Sequence, residues 1–397
     1  MPENRWLLPP GIDELTGPAA RRLELLRRRL LDLFDSWGYD LVVPPVVEYT
    51  DSLLTGLGAA LDRQTFKFAD RQGGKTLGLR ADMSPQAARM DAHSLGFKGA
   101  NRLCYCGTVV RVDTAAGSRA PVQIGAELFG IADIEADFEI IALLLATLEA
   151  SSRRKIILEV AHQKVKHWLR HLATSAQLDR ARLQQFIGDK RLPELADYLR
   201  TAEVDKATAA RLNALPRLMG DAAILPEARR LYAQDPLLAE AINEMERLAR
   251  HIAPRCPQVE LFFNLSEMHR GAYHSGLVFA AYCEADGVAL QVARGGRYDQ
   301  VGSAFGRPRP ATGFSADLRT LARGMDGVPA AAESVYAPLP APAAEAGFWD
   351  KVAQLRTAGY RVKPGFRTEA QSSAEQGCQW RLVQGDSGWQ LTDFATG

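Results

Sequence analysis

Two pairs of polar residues in this chain are spaced so that each could grip a polar group of a ligand. Asp82 and Ser84 stand two positions apart, so an extended backbone would send both to one side. An acid supplies charge and a hydroxyl supplies direction, which together suit an ammonium group. The same two residues read equally well as a Ser-Pro helix start with Asp82 near its cap. Gln123 and Glu127 stand four apart with Gly125 between them, and on a strand they share one face of a sheet. Polar groups on a covered face need partners that can donate or accept a hydrogen bond.

Other chemistries are poorly supplied. Cys104, Cys106, Cys256, Cys283 and Cys378 form an odd, scattered set, which fits a reducing compartment and not a disulfide framework. Cys104 and Cys106 alternate along a strand with no second half-site of cysteine or histidine nearby, so no metal is expected there. The 48 Lys and Arg are offset by 47 Asp and Glu, for a net charge of +1. A chain that grips a large RNA usually shows a basic excess, so the balance argues against RNA as the main ligand. The run Arg21-Arg22 with Arg27-Arg28-Arg29 reads as a solvated helix face, since Glu24 and Asp32 share it. The first residues lack a basic segment followed by an apolar stretch, and no apolar run is long enough to span a bilayer. A cytoplasmic protein without membrane contact is expected.

The elements that must position these residues can be read from periodicity. Leu23, Leu26, Leu30, Leu33 and Trp37 recur at helical spacing after Pro18, and Gly38 is placed to stop the helix. Strand signals follow over 41–47, 77–80, 103–112, 123–131 and 156–160, with a buried helix over 134–150. From 163 to 254, Leu, Ala, Arg and Glu dominate at helical spacing, which predicts a helical insert. Strands resume over 259–265, 277–283 and 288–292. An Ala- and Pro-rich stretch after Gly327 reads as a linker to a small tail of strand, helix and strands. The expected class is α+β: an antiparallel sheet flanked by helices, with a helical insert and a small C-terminal α/β domain. The expected domains are 1–162 and 256–327 as two parts of one core, 163–255 as the insert, and 328–397 as the tail.

Four segments together resemble the histidyl-tRNA synthetase branch of the class II synthetases. Trp37 to Glu48, with Pro44-Pro45, is similar to motif 1, which implies a homodimer through this region. Leu79-Arg80-Ala81-Asp82-Met83-Ser84 resembles the family's Leu-Arg-Pro-Glu-Gly-Thr, whose acid and hydroxyl hold the substrate amino group. Arg111, Gln123 and Glu127 fall on motif 2, where the Arg meets the α-phosphate of ATP and the Gln and Glu reach histidine. Gly295-Gly296-Arg297-Tyr298-Asp299 matches the branch's own signature almost verbatim.

The departures are as telling as the matches. The basic motif 2 loop of the synthetases has become Asp113-Thr-Ala-Ala-Gly117-Ser-Arg119, shorter and mostly uncharged, which weakens the handling of tRNA and triphosphate. Counting back from Gly276, His269 stands where the family has its catalytic Arg, with Arg270 one position away, and His274 replaces a Tyr. Motif 3 ends Gly313-Phe-Ser-Ala-Asp317-Leu-Arg-Thr320, where the family has Gly at the first numbered departure and a phosphate-gripping Arg at the second. Losing one preorganised charge of this kind costs on the order of 3 kcal/mol in a transition state.

A family with this scaffold and these losses is the regulatory subunit of ATP phosphoribosyltransferase (HisZ type), which the chain resembles over 1 to about 325. Membership implies a non-catalytic chain without aminoacylation activity and without a cofactor. It also implies a short-form catalytic subunit as partner at the first step of histidine biosynthesis, homodimers within a hetero-octamer, L-histidine as effector, and no tRNA. The implied histidine site is Asp82, Ser84, Arg111, Gln123, Glu127, Tyr273 and His274. The competing expectation is a genuine or diverged histidyl-tRNA synthetase; a third is a class II paralogue acting on another protein or amino acid.

Overall fold

The computed structural model describes residues 7–55, 58–96, 99–113, 117–153, 155–268, 274–285, 287–325, 333–342, 345–365, 377–386 and 388–393. The chain divides into two compact units, Met1–Met325 and Asp326–Gly397. Along the first unit run α1 (Gly17–Ser36), β1 (Asp40–Leu41), β2 (Val47–Tyr49), α2 (Thr50–Leu53), α3 (Gly58–Gln64), β3 (Lys67–Ala69) and β4 (Thr76–Leu79). Next come α4 (Ser84–Arg89), β5 (Asn101–Thr108), β6 (Val122–Phe129), α5 (Glu135–Ala150) and β7 (Ile156–His162). The insert then holds α6 (Gln163–Ser175), α7 (Arg180–Gly188), α8 (Leu192–Thr201), α9 (Lys206–Ala214), β8 (Met219–Gly220), α10 (Ile224–Tyr232) and α11 (Pro236–Ile252). The unit closes with β9 (Val259–Asn264), β10 (Leu277–Ala285), β11 (Val288–Arg297), β12 (Ala311–Asp317) and α12 (Leu318–Arg323).

Nine of these strands form one sheet in the order β1-β5-β6-β12-β11-β10-β7-β9-β8. The pairings are antiparallel except for β1 with β5 and β7 with β9. One face is apolar. Cys104, Ile124, Ala126, Phe314, Ala316, Ala293, Phe279, Leu158 and Val160 pack there with Leu26, Leu30 and Phe34 of α1 and with Ile141 and Leu144 of α5. Alternation then obliges the neighbouring residues of each strand to line the opposite face. Register places Tyr105, Gly125, Ser315, Arg294, Ala280 and Glu159 in one row across it.

The helical insert is present, and it adds one short strand, β8, that pairs with β9 at the sheet's edge. Two sequence expectations need correction. The strand expected over 41–47 is broken into β1 and β2, because Pro44 and Pro45 cannot donate to a ladder. Ser84 opens α4 with Met83 in a helical conformation, so Asp82 and Ser84 do not project from an extended chain.

A buried ion pair fixes the sheet to its helical layer. Arg297 at the end of β11 donates from Nε and Nη2 to the Asp137 carboxylate of α5, at 2.9 and 2.7 Å. It also reaches the carbonyls of Ile131 and Asp133. The short signature around Arg297 is therefore an architectural tie. The second unit is an independent four-stranded sheet, β13 (Ser334–Pro338), β14 (Arg361–Gly365), β15 (Trp380–Gly385) and β16 (Gly388–Asp393), ordered β14-β13-β15-β16. Helix α13 (Phe348–Thr357) covers it through Phe348, Val352 and Leu355. No helix among the described residues is long and apolar enough to cross a membrane.

Asp137→Ala strands the Arg297 guanidinium in the interior and is expected to cost about 3–5 kcal/mol. Asp299→Ala, at the more open end of the same arginine, should cost clearly less. Urea unfolding of the two variants checks this, and equal losses would contradict the assignment.

Candidate functional site

The open face of the sheet carries a buried acid at its centre. Glu127 is fully buried, and its two oxygens accept hydroxyl hydrogen bonds from Tyr105 at 2.9 Å and Tyr298 at 2.5 Å. Ser84 Oγ lies 2.9 Å from the Tyr105 hydroxyl. Glycines create the room: a Cβ on Gly313 would run into the Glu127 carboxylate, and one on Gly125 would strike the Tyr105 hydroxyl. Burial raises the Glu127 carboxyl from 4.5 to about 7, against the lowering effect of its hydroxyl donors.

Beside it sits the second pair. Gln123 donates from Nε2 to Asp82 at 2.8 Å, and its Oε1 accepts the Met83 N–H at 3.0 Å. Asp82 also accepts the Ser84 N–H at 3.2 Å. Thus Gln123 belongs with Asp82 and Ser84 with Glu127, a cross-pairing that spacing along the chain cannot reveal. The reading of Asp82 as a helix-start residue and its reading as part of a polar clamp are both compatible with this geometry. Arg111 donates from Nε to the Ala81 carbonyl at 3.1 Å, which braces the backbone just before Asp82.

His274 forms a wall. Its ring lies edge-on to Tyr298 with centroids 6.4 Å apart, in space kept open because Gly296 has no side chain. Burial pushes its pKa down to about 3, helped by the nearby charges of Arg294 and Lys166, so it is neutral at physiological pH. Tyr273, His269 and Arg270 lie outside the described residues. Sequence alone singles out neither Tyr105 nor Tyr298. The only trace of the first is its place in an alternating strand, and of the second its place in the glycine signature.

The segments expected to serve a nucleotide have structural duties here. Asp317 caps α12: its carboxylate accepts the Arg319 N–H at 3.0 Å and the Thr320 hydroxyl at 2.7 Å. Arg319 pairs with Asp13 at 2.7 Å. Asp13 also accepts from Ser118 at 2.9 Å, and the Gly11 carbonyl accepts the Arg119 N–H at 2.7 Å. Arg119 further donates to Pro10 and lies over the Phe66 ring. The N-terminal segment thereby straps the motif 2 loop to the motif 3 helix, and the cations left in that region are already engaged. The charge of Asp317 is used within its own helix start.

A largely antiparallel sheet in this strand order, with a buried polar cluster around Glu127 on one face and the Asp317 helix start at its rim, defines a class II synthetase-like fold. Residues 11–321 match the family described as histidyl-tRNA synthetase, and residues 332–392 match the ATP phosphoribosyltransferase subunit HisZ C-terminal domain. The chain is 46% identical to an ATP phosphoribosyltransferase regulatory subunit of Thioalkalivibrio sulfidiphilus, covering 98% of this chain and 99% of that one. It is 43% identical to the same subunit of Teredinibacter turnerae, covering 98% of each. A solved structure from Bacillus halodurans, described as an ATP phosphoribosyltransferase regulatory subunit/histidyl-tRNA synthetase, superposes with a TM-score of 0.81 at 25% identity, over 94% of this chain and 96% of that one. The chain belongs to the family of ATP phosphoribosyltransferase regulatory subunits (HisZ). It is a regulatory and not a catalytic chain of histidine biosynthesis, and it pairs with a catalytic ATP phosphoribosyltransferase subunit.

Because the folded chain holds Glu127 near 7 and the unfolded chain near 4.5, the folded state binds the extra proton between those values. Stability from this group is fully present below about 4.5 and is lost as pH rises through about 7. Glu127→Gln should remove that fall. Its urea midpoint, relative to the wild type, is expected to be higher at pH 8 than at pH 5, and a pH-independent difference would contradict the burial argument. Asp317→Ala should cost about 1 kcal/mol through loss of the helix cap, and Thr320→Val should cost less once Asp317 is gone.

Proposed function

We propose that the pocket binds free L-histidine and that its occupancy controls the catalytic subunit. The observation that carries this reading is Glu127, a buried acid kept beside the Gln123–Asp82 pair while the nucleotide side has been put to structural use. An imidazole N–H would find the Glu127 carboxylate, and the ligand's ammonium group would find Asp82, with Ser84, Arg111 and His274 completing the wall. No tRNA or adenylate is involved in this reading, and the cytoplasm is its setting.

A route for the signal is also supported. Arg80 donates to the carbonyls of Pro44 and Thr108, at 2.7 and 2.8 Å. Gln86 of α4 reaches the Pro45 carbonyl and Glu48, both at 2.8 Å, and Arg89 reaches Glu48 at 2.7 Å. The start of α4, which carries the clamp, is therefore tied to the motif 1 segment. That segment exposes Leu41, Val43, Val46, Val47 and Tyr49, an apolar set suited to a homodimer within a hetero-octamer. A coupling of about 1–3 kcal/mol between ligand and partner is typical of such arrangements.

The test is to assay phosphoribosyl-ATP formation by the assembled complex while titrating histidine. Asp82→Ala and Glu127→Ala should each abolish calorimetric histidine binding and the response of the complex. An unchanged response in both variants would refute the pocket, and robust ATP–pyrophosphate exchange with histidine would favour a working synthetase instead.

A further inference from the structure

The open face of the sheet presents one cation whose purpose the fold does not explain. Arg294 lies on β11, in register with Ser315 of β12 on one side and Ala280 of β10 on the other. Its strand neighbours Ala293 and Gly295 face the apolar layer, Ala293 within the core and Gly295 against Phe279. Arg294 must therefore point to the open face. Among the described residues it is the only cation that the strands of this sheet send there, and it is exposed.

The acids around it are already engaged. Glu127 holds two tyrosine hydroxyls. Asp82 holds Gln123 and a backbone N–H. Asp317 caps its helix. Glu159, in the same row, accepts from Asn264 at 2.7 Å and Tyr282 at 3.2 Å. No described residue makes a hydrogen bond or ion pair with the Arg294 guanidinium. The nearby His274 is neutral and offers no countercharge.

Register gives this cation a place relative to the two halves of the pocket. The Asp82-bound end lies at the row of Gln123 and Asp317; the acid-and-histidine end lies at the row of Glu127, Gly313 and Gly296. Arg294 lies in the row between, two strands from Gly125, or roughly 10 Å by ordinary strand spacing. Across that gap the floor is Gly125, Ser315 and Gly313, so there is open room above it. An arginine side chain can reach much of that distance, and its planar fork suits a carboxylate in bidentate contact.

We propose that Arg294 is a specificity-determining residue of this pocket, its guanidinium receiving the α-carboxylate of the bound amino acid. The inference rests on the histidine reading above and adds to it a selection rule. The pocket prefers the free amino acid over relatives in which the carboxylate is reduced or lost, which bind it more weakly.

Calorimetry on the full chain, alone and assembled with its catalytic partner, tests this with L-histidine, L-histidinol and inorganic phosphate as probes. Arg294→Met should weaken histidine binding by about 10- to 150-fold, the range for hydrogen bonds to a charged group. Histidinol, which has no carboxylate, should bind the wild type and Arg294→Met alike, and Arg294→Lys should recover part of the loss. Circular dichroism melting should be unchanged, since the side chain is exposed. Equal weakening of histidine and histidinol, or none, overturns the proposal while leaving the histidine pocket standing. Loss of phosphate binding with histidine affinity retained overturns it too, in favour of a phosphate site. If the wild type binds no histidine, both readings fall together.

Discussion

The glycine-floored pocket on the open face of the large sheet is arranged around a single carboxylate taken out of water. An acid as buried as Glu127 is tolerated only when its oxygens are hydrogen-bonded. Two tyrosines meet that demand, Tyr105 on β5 and Tyr298 just after β11, and each fixes further structure. Tyr105 needs Gly125 opposite it, and the carboxylate itself needs Gly313. Tyr298 brings with it the loop after β11 and the edge of His274. A small-residue floor with polar walls is the outcome, and such a shape can admit a ligand only as large as the glycines allow.

The two faces of the sheet are held to different standards. The apolar face, with α1 and α5, is locked by packing and by the Arg297–Asp137 pair. The open face is held by hydrogen bonds that a ligand could share or displace. At the rim of this face the N-terminal segment, the motif 2 loop and α12 are stitched together through Asp13, Arg119 and Arg319.

Much of this was legible from residue types and spacing. The strands near Gln123 and Glu127, the helical insert and the glycine signature follow from alternation, helical periodicity and motif. What escaped was nonlocal or lay at an element's end. The pairing of Gln123 with Asp82 joins residues 41 positions apart, so no window along the chain contains it. Arg294 lies beyond the strand expected over 288–292; only the extension of β11 to Arg297 gives it a face. Asp317 was readable in principle, since an acid before Leu-Arg-Thr is a plausible cap, but next to a phosphate-binding motif its charge looked like a loss and not a use. Pro44 and Pro45 were an available warning that one strand would be two.

The Asp317 cap also makes two positions interdependent. One carboxylate serves the Arg319 N–H and the Thr320 hydroxyl together, so a change at 317 or at 320 leaves the other residue without its partner. Glycine at 317 would cost only roughly a few tenths of a kcal/mol, since glycine is itself tolerated at a helix start, whereas alanine would cost about 1 kcal/mol. The helix start therefore behaves as a unit of two residues, in which the effect of a substitution at one position depends on what stands at the other.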